Sequence, residues 1–240
     1  MTLFIDAGTT WSKVIEVDNK DFQQDFVNFL VTSIDNKNYY ILPSKLIKNM
    51  NYKFDKATGH MDLGLLKNSS DKENEIIALA NGVKNLIKDK NALIFDLGSR
   101  DAKWIKFQDG KFKDLDWNTS CASSTGATVE MLLKFYDVKM DELNFCEDKY
   151  TVNCGIFGLE KIMDDIAKGE SAQKCIAKFI HGIAYNCWNF SKKAQKIYLS
   201  GGFCENECFV NSLKNYCEVE TLGRFVLVES FLNENLITNS

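Results

Sequence analysis

The chain has 240 residues, 45% of them hydrophobic, with 29 Lys and Arg against 33 Asp and Glu for a net charge of −4. That is enough apolar material for one large domain or two small lobes, which excludes a disordered chain, and its lysines are interspersed with acids rather than clustered, so no nucleic-acid partner is indicated. No apolar run approaches the roughly 20 residues that span a bilayer, and the N-terminus enters a strand with no signal-like segment, so a cytoplasmic protein without a membrane partner is expected.

In chain order, a first lobe over residues 1–88 is predicted to hold strands near 2–6, 12–17 and 26–33 and a helix from about Glu73 to Ile87. A second lobe over 89–240 opens with strands near 92–96 and 102–107 and a hairpin turn at Asp109-Gly110. It then turns helical. Val129, Leu132, Leu133 and Tyr136 keep helical spacing, as do Ile156, Leu159, Ile162, Met163 and Ile166, and again Ile176, Phe179, Ile180, Ile183 and Cys187. Lys196-Ile-Tyr-Leu-Ser-Gly-Gly-Phe203 reads as a strand entering a Gly-Gly turn, with a helix from about Glu205 to Tyr216.

The two lobes begin alike. Phe4-Ile-Asp-Ala-Gly-Thr-Thr-Trp-Ser-Lys-Val-Ile15 returns as Phe95-Asp-Leu-Gly-Ser-Arg-Asp-Ala-Lys-Trp-Ile105, in register at Asp6/Asp96, Gly8/Gly98, Thr9/Ser99 and Lys13/Lys103. Glycine lets a turn's backbone approach an oxyanion, N–H groups and hydroxyls donate to it, and the aspartate can hold a metal or order a water. One such turn is an ordinary hairpin; two in fixed register point to two half-domains gripping one nucleotide. Arg100 reads either as a solvated turn residue or as a γ-phosphate contact.

Of the eight cysteines, Cys121 and Cys154 stand just before predicted helices, where exposed N–H groups and the helix dipole favour a thiolate. Their separation is too long for a CxxC zinc ribbon, but a two-fold dimer would assemble four thiolates, which suits a 4Fe-4S cluster or a tetrahedral zinc site. Cys204 and Cys208 read as packing thiols, and Cys146, Cys175, Cys187 and Cys217 as core or surface thiols. His60 and His181 are isolated.

The paired turns and the Ser-Gly-Gly element resemble the phosphate-1, phosphate-2 and adenosine motifs of the actin, Hsp70 and sugar-kinase superfamily. This implies an α/β fold of two ribonuclease-H-like lobes around a nucleotide cleft. More narrowly, Asp6-Ala-Gly-Thr-Thr with Lys13, Asp96-Leu-Gly-Ser-Arg-Asp-Ala-Lys103, Asn118-x-x-Cys-Ala-x-x-Thr-Gly126, Cys154-x-x-Phe157 and Ser200-Gly-Gly-x-x-x-Asn206 resemble the activators of 2-hydroxyacyl-CoA dehydratases, which form one family with the ATPase subunits of benzoyl-CoA reductases. The resemblance runs from Thr2 to about Asn215 and includes Ala57-Thr-Gly59.

It implies a homodimer bridged by one 4Fe-4S cluster on Cys121 and Cys154, ATP or ADP with Mg2+ as further cofactors, a low-potential electron donor such as ferredoxin or flavodoxin, and a dehydratase or reductase as partner. By the same carry-over Asp6, Asp96 and Asp101 are catalytic, and Gly8, Thr9, Thr10, Lys13, Gly98, Ser99, Arg100, Gly126, Gly201, Gly202 and Asn206 bind nucleotide. The chain departs from the family at Gly98-Ser-Arg-Asp101, Ser124, Leu159-Glu-Lys161 and the bulky Phe225–Phe231 stretch, and reads as a divergent member. The rival expectations are a small-molecule kinase of the N-acetylglucosamine type and a weakly hydrolysing nucleotide-binding regulator.

Overall fold

The computed structural model describes residues 2–18, 21–47, 52–59, 71–118, 126–152 and 155–234, with backbone only at 155–157 and 233–234. It divides into two compact units, Met1–Lys88 with Arg224–Ser240, and Asp89–Gly223.

In the first unit, β1 (Thr2–Ala7) and β2 (Trp11–Val17) form an antiparallel hairpin, β4 (Lys37–Pro43) pairs with β2, β3 (Leu30–Ile34) lies outside β4, and β5 (Lys56–Thr58) adds parallel to β1. The order is β3-β4-β2-β1-β5. Central β1 is buried from Leu3 through Ala7, as expected of a strand covered on both faces.

Short helices α1 (Asp21–Phe26) and α2 (Ser44–Ile47) flank the sheet, and α3 (Glu75–Val83) starts where Asn74 Oδ1 accepts the Ile76 N–H at 2.8 Å. The strand expected near 26–33 begins only at Leu30. Phe22, Phe26 and Phe29 recur at helical rather than alternating spacing, and the Phe22 and Phe26 rings pack 4.5 Å apart.

The second unit repeats the scheme. The hairpin of β6 (Ala92–Leu97) and β7 (Ala102–Gln108) is extended by β8 (Lys111–Asn118) through the predicted turn, where Asp109 and Gly110 both take the positive φ that a tight hairpin demands. β9 (Lys196–Gly201) joins β6 in parallel and β10 (Glu218–Gly223) joins β9, giving β10-β9-β6-β7-β8.

The predicted apolar stripes fold as α4 (Gly126–Phe135), α5 (Gly155–Ala167), α6 (Ala172–Phe190) and α7 (Glu207–Lys214). Buried Val129, Leu132, Ile176, Phe179, Ile180 and Ile183 join Phe95, Leu97 and Leu199 in one core.

The end of the chain does not stay with the second unit, where the sequence reading put it. Phe225–Phe231 leads into α8 (Val226–Glu234), whose Val226, Val228 and Phe231 are buried against α3 and the first sheet. The approach is closest at Gly82, where an added Cβ would lie 2.0 Å from the Val226 carbonyl oxygen. Among the described residues, no helix is long and apolar enough to cross a membrane.

Candidate functional site

Each unit lines up a lysine, an aspartate and a hydroxyl across three adjacent strands. In the first, the hairpin register sets Lys13 opposite Asp6, and parallel β5 sets Thr58 on the other side of the aspartate. In the second, Lys103 stands opposite Asp96, and parallel β9 sets Ser200 beside it. Register partners project from one face of a sheet, so both trios are side by side. Lys13 Nζ donates to Asp6 Oδ2 at 2.8 Å, and Lys103 Nζ lies 3.1 Å from Asp96 Oδ2. The charges are nearly sealed: both aspartate side chains are 7% exposed, Lys13 16% and Lys103 3%. Pairing is what makes such burial tolerable.

The two turns beside these rows are braced differently. A Cβ on Gly8 would fall 2.4 Å from the Trp11 carbonyl oxygen, so the turn closes only without a side chain there. Ser44 supports it from α2: its Oγ donates to the Gly8 carbonyl at 2.6 Å and its N–H to the Thr10 carbonyl at 2.9 Å. Thr9 is left exposed and Thr10 half-buried, so the first hydroxyl stands at the surface.

The second turn is closed by the Gly98 N–H donating to the Asp101 carbonyl at 3.0 Å. The buried Asp101 carboxylate accepts from Trp117 Nε1, and the Trp117 ring sits 5.3 Å from Lys103 Nζ, which adds a cation–π contact to that ion pair. Ser99 is half-buried and Arg100 exposed.

Helix α4 begins on this second turn. The Gly126 and Ala127 N–H groups donate to the Gly98 and Ser99 carbonyls at 3.2 and 2.9 Å, and a Cβ on Gly126 would crowd Ser99 Cα at 3.1 Å. Gly126 is thus drawn to the turn, with its amide engaged there. Further on, β9 ends at Gly201, whose φ of +89° excludes most side chains, and a 3-10 turn over Gly202–Glu205 leads to Asn206. Asn206 is buried: its Oδ1 caps α7 by accepting the Phe209 N–H at 2.9 Å, and its Nδ2 faces Met140 Sδ at 2.9 Å.

Cys121 and Cys154, the expected cluster ligands, lie outside the described residues, as does His60. The helix that follows Cys154 does begin at the next residue, Gly155, and the one after Cys121 at Gly126. Among the described residues no group of three or more His, Cys, Asp or Glu side chains could hold a metal. The six described cysteines are free thiols. Burial pushes Cys187 and Cys208 up to about 12 and Cys217 to about 11, away from thiolate chemistry. His181 is buried between the Cys146 carbonyl, 2.8 Å from Nδ1, and the Tyr216 hydroxyl, 2.7 Å from Nε2, so both its nitrogens serve the fold.

Sequence reasoning missed Thr58 and Ser200. Thr58 ends β5 and Ser200 is the last residue but one of β9, and each precedes a glycine of positive φ: Gly59 at +113° and Gly201 at +89°. A Cβ on Gly59 would meet the Ala7 carbonyl oxygen at 2.4 Å, and one on Gly201 the Leu97 carbonyl oxygen at 2.5 Å. The hydroxyl-Gly pairs are therefore packed against equivalent backbone, the residue just after each aspartate. A Thr-Gly or Ser-Gly step closing an apolar run is the signal that was present.

No protein-family model matches the chain. Among curated proteins it is 24% identical over 241 residues to the activator of lactoyl-CoA dehydratase of Anaerotignum propionicum, covering 92% of this chain and 90% of that protein. It is also 24% identical over 221 residues to the (R)-2-hydroxyglutaryl-CoA dehydratase activating ATPase of Acidaminococcus fermentans, covering 85% and 84%. Its structure aligns with the ADPNP-bound activator of the 2-hydroxyisocaproyl-CoA dehydratase of Clostridium difficile at a TM-score of 0.75 and 16% identity, over 100% of this chain and 97% of the other. The fold is the α/β fold of the actin, Hsp70 and sugar-kinase superfamily, and by sequence along most of its length the chain is a divergent relative of the 2-hydroxyacyl-CoA dehydratase activators.

Proposed function

We propose that the chain is an ATP-dependent activator that hydrolyses ATP to drive a low-potential electron into a 2-hydroxyacyl-CoA dehydratase or a benzoyl-CoA-reductase-like partner. The observation that carries this reading is the doubled Lys–Asp row, each beside an Asp-x-Gly turn, in a chain whose curated relatives are dehydratase activators. Asp6 in the first unit and Asp96 and Asp101 in the second are each buried, and a carboxylate oxygen is the donor type that a hard cation such as Mg2+ and its waters take. Lys13 and Lys103 pair with the first two and hold them in place, and Trp117 orients the third. The Gly8-Thr9-Thr10 and Gly98-Ser99-Arg100 turns offer N–H groups, hydroxyls and a guanidinium to phosphates, with Gly201, Gly202 and Asn206 on the nucleoside side.

Cys121 and Cys154 are the proposed thiolate donors, and two copies of the chain would supply four. Bound there, a 4Fe-4S cluster would take up and release one electron at low potential. The anchoring of α4 on Gly98 and Ser99 supports a route by which a change at the second turn reaches the segment that bears Cys121. Curated relatives that are dehydratase activators give the sugar-kinase reading no support.

The test is iron analysis of anaerobically purified protein together with Mg2+-dependent ATP turnover. Expected are about four irons per dimer, lost in Cys121→Ser and in Cys154→Ser, with ATP turnover retained in the parent. Full iron in both single variants would sink the cluster assignment, and sugar-dependent ADP release would replace the activator by a kinase.

A further inference from the structure

Thr58 and Ser200 are both fully buried, and neither hydroxyl has a hydrogen-bond partner among the described residues. A hydroxyl carries one donor and two lone pairs, and sealing it unpaired is costly, so buried orphans in native proteins mark an ordered water or ion. Here the orphan occurs twice at one equivalent place: next to the site aspartate on the same sheet face, with a glycine behind it that presses on the residue after the aspartate. Packing accounts for a small residue at either position. It does not account for a hydroxyl, since Val at 58 or Ala at 200 would occupy the same place with no polar atom to satisfy. Beside Ser200 on its other side the sheet partner is Gly223, where a Cβ would meet nothing within 4 Å, so the row is not closed off there by a side chain.

We propose that Thr58 and Ser200 are positioning residues of the nucleotide site, each hydroxyl holding, with the neighbouring Asp6 or Asp96 carboxylate, one ordered water. The lysine takes Oδ2 of each aspartate from one side, and the hydroxyl and its water fix the carboxylate from the other. The carboxylate is then set in a single orientation before magnesium and triphosphate arrive, which lowers the ordering cost of binding them. This inference rests on the nucleotide-binding part of the reading above.

The experiment is calorimetric titration of the full chain with a non-hydrolysable ATP analogue, with magnesium and with magnesium chelated, alongside melting curves without nucleotide. Thr58→Val and Ser200→Ala are each expected to weaken magnesium-dependent binding roughly 10-fold, the scale of one hydrogen bond to a charged group, while melting close to the parent. Thr58→Ser, which keeps the hydroxyl and loses a methyl, is expected to bind like the parent. Parent-like affinity in both Thr58→Val and Ser200→Ala overturns the proposal and leaves the nucleotide reading standing. So does a loss of equal size in Thr58→Ser, or one that persists with magnesium chelated, either of which assigns the residues to packing. A parent that binds no analogue overturns both readings.

Discussion

In the first unit the Lys13–Asp6–Thr58 row ends on β5, a three-residue edge strand, whereas in the second the Lys103–Asp96–Ser200 row lies in a sheet that continues through β8 on one side and β10 on the other. The hairpin registers are the same and both set a lysine against an aspartate, but the surroundings differ. Lys103 is sealed under Trp117 and Lys13 keeps a path to solvent. Further along the hairpins the copies part altogether. Glu16 on β2 is buried and accepts from the Phe22 N–H at 2.9 Å, the Tyr40 hydroxyl at 2.7 Å and Asn38 Nδ2 at 3.3 Å, while Lys106 at the matching place on β7 is exposed. The shared half of each hairpin is the half that carries the candidate chemistry; the other half answers to whatever each unit packs against it.

The largest expected effect breaks the rows themselves. Asp96→Ala takes the paired carboxylate from a lysine ammonium in a site with 3% exposure, and removing one partner of a buried pair costs about 3–5 kcal/mol. Asp6→Ala is expected to cost clearly less, because Lys13 at 16% exposure can turn toward water. Urea unfolding of the two variants measures the gap. Equal losses would show that the burial difference between the rows is not felt energetically. Both variants are also expected to abolish Mg2+-dependent ATP turnover without changing iron content.

A smaller effect separates the two packing arrangements. Each unit presses a helix through a glycine onto a carbonyl: Gly82 of α3 against Val226 of α8, where a Cβ would lie 2.0 Å from the oxygen, and Gly182 of α6 against Tyr150, at 2.4 Å. Gly82→Ala and Gly182→Ala are each expected to lose about 1–3 kcal/mol through forced backbone movement. Hydrogen exchange should quicken in β1, β2 and α8 for the first and in β6, β9 and α6 for the second. The reverse pattern would contradict the assignment of α8 to the first unit.

How far this could be read from the residues depends on how local each feature is. The Asp-x-Gly turns and their lysines were legible because hairpin register is set within a dozen residues, and α4 to α7 were legible from apolar spacing. The equivalence of Thr58 and Ser200 was not. Parallel strands meet through crossovers of unequal length, so nothing near Thr58 states that it lies beside Asp6. The placement of α8 is lost for the same reason, since Phe225–Phe231 reads as an apolar helix with no address. Gly126 and Asn206 were reached through resemblance, and their local roles, an amide bonded to the second turn and a cap on α7, follow from contacts that a motif does not display.

The smallest expected effect contrasts two acids of the first unit, half-buried Glu229 and fully buried Glu16. Glu229 on α8 has its pKa raised above the ordinary carboxylate value, chiefly by burial and against a smaller opposing pull from Lys37. An acid that holds its proton more tightly when folded contributes stability below the unfolded pKa and loses it as pH rises through the folded value. Glu229→Gln removes that loss. The variant should match the parent at pH 4 and exceed it at pH 7 by less than about 1 kcal/mol in chemical denaturation. Glu16 rests on hydrogen bonds instead: three donors converge on its carboxylate, and a glutamine amide has one acceptor oxygen to offer them. Glu16→Gln should therefore destabilise the unit at neutral pH. A stabilised Glu16→Gln would mean that those donors are satisfied elsewhere, and the buried network would no longer explain why the rear half of this hairpin differs from its copy.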